Sequence, residues 1–204
     1  MIPLYDENKK KGIPFITILL IILNSYIYFL SLSTTFYLDN YAFSFNDLYN
    51  GKLYTILTSL FLHQNIIHLL GNMLFLWVFG KNVESRIGSF KFLIFYMFCG
   101  FLSVLSYALF ESSGFLIGAS GAISGILGAY LILFPRNKIK TIVPIVFFWT
   151  IASVPAFVFI IIWFLIQLLS LGSSDMVAYS AHIGGFVSGM LLIKKFKKRL
   201  WKLI

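Results

Sequence analysis

The sequence predicts an all-α, polytopic membrane protein with six transmembrane helices, and three observations predict it. The 204 residues are 59% hydrophobic and 11% charged, against about 25% charged residues in soluble domains. Uncharged apolar runs of about eighteen residues or more recur, each long enough to span a bilayer. Basic residues collect at alternate junctions between those runs. The runs do not alternate apolar and polar with period two, which argues against a β-barrel.

The first span, Ile13–Leu32, follows Lys9-Lys10-Lys11. It is too long for a signal-peptide core and lacks a small-residue cleavage site, so it reads as a retained span. The second is Ile66–Phe79; the apolar stretch Leu53–Leu62 before it either extends it or lies at the interface. The third is Phe90–Phe110 and the fourth Phe115–Phe134. The fifth is Val154–Leu171, preceded from Ile142 by a stretch holding Pro144 and Pro155 that reads either as helix or as an interfacial loop. The sixth is Val177–Ile193. The loop from Ser33 to Tyr54 carries Phe36, Tyr37, Tyr41, Phe43, Phe45 and Tyr49, a composition suited to the headgroup region or to an ordinary outer loop. Residues 1–204 form one domain, with tails 1–12 and 194–204.

The net charge of +9 resolves into a topology. With the N-terminus in the cytoplasm, fifteen of the sixteen basic residues lie inside and only Lys52 lies outside. Asp39, Asp47, Glu111 and Asp175 lie outside. The basic excess therefore orients the chain and attracts anionic lipid heads; nucleic acid is not an expected partner. Both tails, including the basic 194–204, are expected in the cytoplasm of a cell-membrane protein. Cys99 is the sole cysteine, so neither an internal disulfide nor a thiolate metal cluster is available.

Spans two, four and six all run from outside to inside. Ser120 and His182 each fall about five residues into their spans, on the order of 8 Å below the outer boundary at ~1.5 Å per residue. His68 and Asn72 lie in the first half of span two, four apart and on one face. Four polar groups from three helices thus share one depth, in a chain otherwise reluctant to put polarity in lipid.

Glycine recurs at 118, 121, 125 and 128, one face of a helix stripped of side chains. Gly184, Gly185 and Gly189 do the same beside His182. Two such faces bring backbones close, which would place the Ser120 hydroxyl within reach of an imidazole able to take its proton. Gly118, Gly121, Gly125, Gly185 and Gly189 are the expected packing residues. No carboxylate lies in a proposed span, so the expectation is a Ser–His dyad whose imidazole tautomer is set by something other than an acid. Backbone N–H groups at the helix N-terminus near Ser120, with His68 and Asn72, are the candidate oxyanion donors.

Each feature has a plainer reading. Gly121 and Gly125 form a packing motif by themselves, an intramembrane serine commonly bonds the carbonyl one turn back, and Asn72 suits interhelical bonding. The coincidence of depth weighs against these. His-Glu-x-x-His is absent, His63 and His68 stand about 140° apart around a helix, and no aspartates pair within spans, so no metal or cofactor is expected.

The run Gly118-Ala119-Ser120-Gly121 resembles the GxSG nucleophile motif of the rhomboid family of intramembrane serine proteases. Ala181-His182-Ile183-Gly184-Gly185 resembles its catalytic-histidine motif, and His63-Gln64-Asn65-Ile66-Ile67-His68-Leu69-Leu70-Gly71-Asn72-Met73 its span-two signature. Gly80, Val83-Glu84 and Gly88 match a further turn, and the likeness runs from about Gly51 to Leu192. It implies hydrolysis of peptide bonds in or near transmembrane segments of single- or multi-span membrane proteins. Catalysis would be by Ser120 and His182 in a water-filled, outward-opening cavity, with His68 and Asn72 in the oxyanion hole. Two positions depart from the pattern. Tyr54-Thr55 replaces a Trp-Arg pair in the first loop, and Ser124 replaces an aromatic residue on which the histidine packs, so that either His182 packs differently or another ring such as Tyr179 substitutes. The alternative is a catalytically silent binding or quality-control protein on the same fold. A small transporter or channel is disfavoured by the absence of an inverted repeat or intramembrane acid.

Overall fold

The computed structural model describes residues 1–7, 12–111, 114–145, 148–173 and 177–196. Lys9, Lys10, Lys11, Asp175, Lys197, Lys198, Arg199 and Lys202, used above for topology, lie outside the described residues.

The chain opens with strand β1, Ile2–Asp6, and then helix α1, Phe15–Ser31. The aromatic loop is folded: α2 (Phe36–Tyr41), β2 (Phe43–Ser44), a 3₁₀ turn (Phe45–Leu48), α3 (Thr55–Thr58) and a second 3₁₀ turn (Ser59–Phe61). At the positions that depart from the family pattern, Tyr54 and Thr55 supply its anchorage. Tyr54 donates its hydroxyl to the Asn40 carbonyl at 3.1 Å, and Thr55 donates to Asp47 at 3.2 Å. Asp47 also accepts the Ser44 N–H at 2.8 Å, closing a capping box. Phe36, Tyr49, Leu53, Tyr54 and Leu57 remain exposed on this loop.

The second span is longer than the sequence suggests. Helix α4 (Ile66–Phe75) runs through a π-helical turn (Leu76–Gly80) into α5 (Lys81–Ile87) without a break. Lys81 and Glu84 end the apolar run but not the helix. Glu84 is also a helix-borne acid, inside a span in which the sequence predicts no carboxylate. It is 2% exposed and accepts from Ile16 N–H, Thr17 N–H, the Thr17 hydroxyl and the Ser89 hydroxyl at 2.6–2.9 Å. A carboxylate there satisfies two orphan donors of α1 and complements its dipole.

Helix α6 spans Ser89–Phe110 and is followed by β3, Phe115–Leu116. Helix α7, Ser120–Leu133, is five residues shorter at its start than the predicted fourth span. Gly114 and Gly118 adopt positive φ, and Phe115–Leu116 pair with Phe43–Ser44 instead of joining the helix. Gly118 is therefore not on the helical glycine face; it belongs to the turn that precedes it.

The all-α expectation fails in two places, the first being the short β2–β3 pair. Strands β4 (Lys138–Ile145) and β5 (Phe148–Pro155) form an antiparallel hairpin, and β1 adds to β4, giving the order β1-β4-β5. The ambiguous proline-bearing stretch before span five is this hairpin. Pro144 and Pro155 forbid a helix but are tolerated in a short antiparallel ribbon. Helix α8 (Ala156–Leu169) and helix α9 (Tyr179–Phe196) complete the bundle.

Among the described residues, Ile66–Ile87 and Ser89–Phe110 are long and apolar enough to cross a membrane, and Phe15–Ser31, Ser120–Leu133 and Ala156–Leu169 are shorter apolar helices. Helix α7 is central, its residues Gly121–Tyr130 all buried among α6, α9 and the π turn.

Candidate active site

The geometry of the site starts from the seam between α7 and α9. A Cβ built on Gly185 would strike the Gly121 carbonyl, and one on Gly189 would strike the Gly125 backbone. A Cβ on Gly125 would meet Cys99 of α6 and come within 3.2 Å of the Gly185 carbonyl. The glycines interlock in both directions, so the two backbones touch and the helices cannot slide. Gly128 continues the seam against Phe186 and Met190. Gly121, Gly125, Gly185 and Gly189 thus do the packing the sequence suggests.

At the end of this seam Ser120 is the first residue of α7 and His182 stands one turn into α9. Ser120 Oγ lies 2.8 Å from His182 Nε2. On the other side of the ring, Nδ1 lies 2.8 Å from Oε1 of Gln167 on α8. The Trp163 ring faces the imidazole with centroids 6.2 Å apart, and Tyr179 meets it edge-on at 6.3 Å. These two rings supply the aromatic packing of the His182 imidazole. Ser124 donates to the Ser120 carbonyl at 2.7 Å.

His68 and Asn72 are brought to the same place from α4. Asn65 caps this helix by accepting the His68 N–H at 2.9 Å. The Gly118 N–H is tied to the Ser59 carbonyl at 2.9 Å, and φ is +117° at Gly118. A side chain there would be strained and would also press within 2.8 Å of the His68 ring, with Asn72 Nδ2 at 3.7 Å. Glycine lets this turn approach both side chains. Asn72 is 7% exposed, and its Nδ2 has no hydrogen-bond partner among the described residues. His63 lies before α4, its ring edge-on to His68 at 5.0 Å.

A cavity of about 550 Å³ collects these groups; Ser120, His182, His68 and Asn72 line its polar side and Phe75, Leu127 and Trp163 its apolar depth. The arrangement offers a hydroxyl hydrogen-bonded to an imidazole, with amide and imidazole donors across a space large enough for a peptide segment. Among the described residues no carboxylate lines the cavity. Gln167 and Trp163 are the site residues that sequence reasoning passed over. A lone amide in the uncharged helix Ala156–Leu169 was the available signal.

The Rhomboid domain family matches residues 50–199. RHOMBOID-like protein 1 of Arabidopsis thaliana is 34% identical over 142 residues, covering 69% of this chain and 34% of that protein. Rhomboid protein 1, mitochondrial, of Saccharomyces cerevisiae is 35% identical over 167 residues, covering 76% of this chain and 45% of its own length. Rhomboid-like protease 3 of Toxoplasma gondii is 29% identical over 153 residues, covering 74% and 54%. The chain spans about a third to a half of the length of these relatives. The matched region holds every residue of the cavity, and with a family match over most of its length this membrane protein belongs to the rhomboid family.

Proposed function

We propose that this chain is an intramembrane serine endopeptidase that cleaves membrane-protein substrates in or near their transmembrane segments through a Ser120–His182 dyad. The observation that carries the reading is the 2.8 Å bond from Ser120 Oγ to His182 Nε2 at the edge of an open cavity. His182 takes the Ser120 proton as Oγ bonds to the scissile carbonyl carbon, and the carbonyl π pair moves to oxygen. Asn72 Nδ2, the His68 imidazole and the N–H groups at the start of α7 receive that oxyanion. Collapse expels the amine, which leaves with the proton held by His182. Water then repeats the cycle on the acyl-enzyme, His182 again serving as base, and frees Ser120.

The site lies within the membrane in this reading, with α1, α4–α5, α6, α7, α8 and α9 as six spans and both termini in the cytoplasm of a cell-membrane protein. Two pairings support the topology. Strand β1 pairs with β4, so the N-terminal tail and the α7–α8 linker share one face. Strand β2 pairs with β3, so the aromatic loop sits at the opposite end of α7, beside Ser120. Helix α7 has 14 residues, about 21 Å at ~1.5 Å each, which is short of a ~30 Å hydrocarbon core. That length is compatible with Ser120 lying below the outer boundary. The non-helical segment before it is tolerable at that depth because it lines the cavity.

The test is cleavage in liposomes of a single-span protein with helix-breaking residues and a small residue before the intended cut. The wild-type chain cuts it, while Ser120→Ala and His182→Ala do not. Full cleavage by Ser120→Ala overturns the reading. Retention of the test protein without cleavage by the folded wild type favours the silent binding factor.

A further inference from the structure

We infer that Gln167 is a positioning residue that holds His182 in the tautomer the reaction needs, making the site a Ser–His–Gln relay. This rests on the Ser120–His182 reading. Gln167 is 7% exposed, on α8, one turn after Trp163. Its Nε2 lies 3.3 Å from the Trp163 carbonyl. A carbonyl only accepts, so the amide N–H₂ must face it and Oε1 must face the imidazole. Oε1 only accepts as well, so His182 Nδ1 carries the hydrogen across the 2.8 Å contact. A neutral imidazole has one N–H. Nε2 is then left with its lone pair toward Ser120, at 2.8 Å, and the serine hydroxyl donates to it.

One backbone carbonyl, acting through Gln167, thus sets the protonation state of the base. Without Gln167, nothing fixes which ring nitrogen holds the hydrogen, and the other tautomer points an N–H at the serine, where no proton can be accepted. As His182 takes the serine proton, the Oε1 dipole faces the positive ring. It does so without a buried carboxylate, which an apolar bundle would have to desolvate.

The groups facing His182 are few. His68 of α4 lies across the cavity, Tyr179 is on its own helix, α7 presents Ser120, and α6 presents Ser103 and Ser106 to the α9 backbone. No carboxylate stands among the described cavity residues. The acid limb of activity therefore reports on His182 together with His68, and a charge placed at 167 addresses His182 directly.

The test uses the whole protein in detergent and a fluorophosphonate probe, whose rate of attachment to Ser120 is followed against pH. Gln167→Met keeps the length and shape of the side chain but replaces the amide oxygen with a thioether that is at most a weak acceptor. It should label about ten- to a hundred-fold more slowly with an unchanged unfolding temperature. Gln167→Glu keeps the acceptor and adds a charge. It should label near the wild-type rate at high pH, with the acid limb moved up by about one pH unit or more. Equal rates and profiles for wild type and Gln167→Met, or an unmoved acid limb in Gln167→Glu, overturn the proposal. A second measurement needs no altered residue at 167. Nitrogen NMR of the chain labelled in its three histidines, with His182→Gln to assign the signals, should find the Nδ1–H form at His182. The Nε2–H form there overturns the proposal. Failure of folded wild type to label at Ser120 would instead remove the dyad reading, with the tautomer result still deciding the Gln167 contact.

Discussion

The two ends of α7 are built by opposite rules. At its start, Ser120 opens onto a cavity, and Asn72 holds a buried N–H₂ with no partner among the described residues. Near its finish, Tyr130 donates to Asp6, and Asn137 donates to both Asp6 and the Tyr130 hydroxyl at 3.1 Å. Strand β1, which carries Asp6, is hydrogen-bonded across β4, and Glu84 seals the start of α1. Buried polar groups cost stability unless paired. One end of the helix pairs them, and the other leaves the buried Asn72 amide without a partner among the described residues, beside the cavity. The closed end holds the fold, and under the proposed function the open end is where donors would meet a reacting carbonyl. The glycine seam runs between the two, and the 2.8 Å Ser120–His182 contact stands at its open end.

The contrast gives outcomes that differ in kind. At the open end, Asn72→Ala should lower turnover about 10²- to 10³-fold while leaving thermal unfolding in detergent close to wild type. A large loss of stability without loss of rate would mean that Asn72 is ordinary packing. At the closed end, Glu84→Ala should do the reverse. It strands two backbone donors and two hydroxyls, at a cost of about 2–4 kcal/mol in unfolding free energy, and the surviving folded fraction should label at Ser120 normally. Tyr130→Phe removes one donor from Asp6 and should cost about 1–2 kcal/mol, again read by unfolding.

Acid should also divide the two ends. Turnover follows the neutral fraction of His182, so it falls about tenfold for each pH unit below the limb and is flat above it. At the closed end, Glu7 bonds Ser153 and lies 3.3 Å from Lys140, and the Ser153 hydroxyl, aided by that lysine, lowers its carboxyl pKa. A lowered folded pKa contributes stability that is present above the unfolded value and lost as pH falls through the folded one. This exposed pair gives the smallest effect: a shallow acid-side decline in unfolding temperature that Ser153→Ala flattens.

The sequence made the helices and the Ser120–His182 pairing legible because apolar length and glycine spacing are local patterns with one physical meaning in lipid. Three features escaped it for three different reasons. Glu84 hid because charge at Lys81 and Glu84 reads as the end of a span, whereas the helix continues and turns the acid inward onto α1. The hairpin of β4 and β5 hid because Pro144 and Pro155 say only what the stretch is not, and the strand that completes the sheet comes from the far N-terminus. Gln167 hid because its meaning is tertiary. An amide in an apolar run becomes informative only when the packing of α8 on α9 puts it against Nδ1 of His182. Gly118 shows the same limit on a smaller scale: its spacing fits the helical glycine face, but its positive φ takes it out of the helix.

The most direct measurement requires no substrate. Purified protein in detergent is treated with a fluorophosphonate and the adduct located by mass spectrometry, beside Ser120→Ala and His182→Ala. Loss of fluoride on attack by an activated Oγ should leave the phosphonyl group on Ser120, absent from Ser120→Ala and reduced to trace in His182→Ala. Labelling of Ser120 at full rate in His182→Ala, or no adduct on Ser120 in protein shown to be folded, would contradict the dyad.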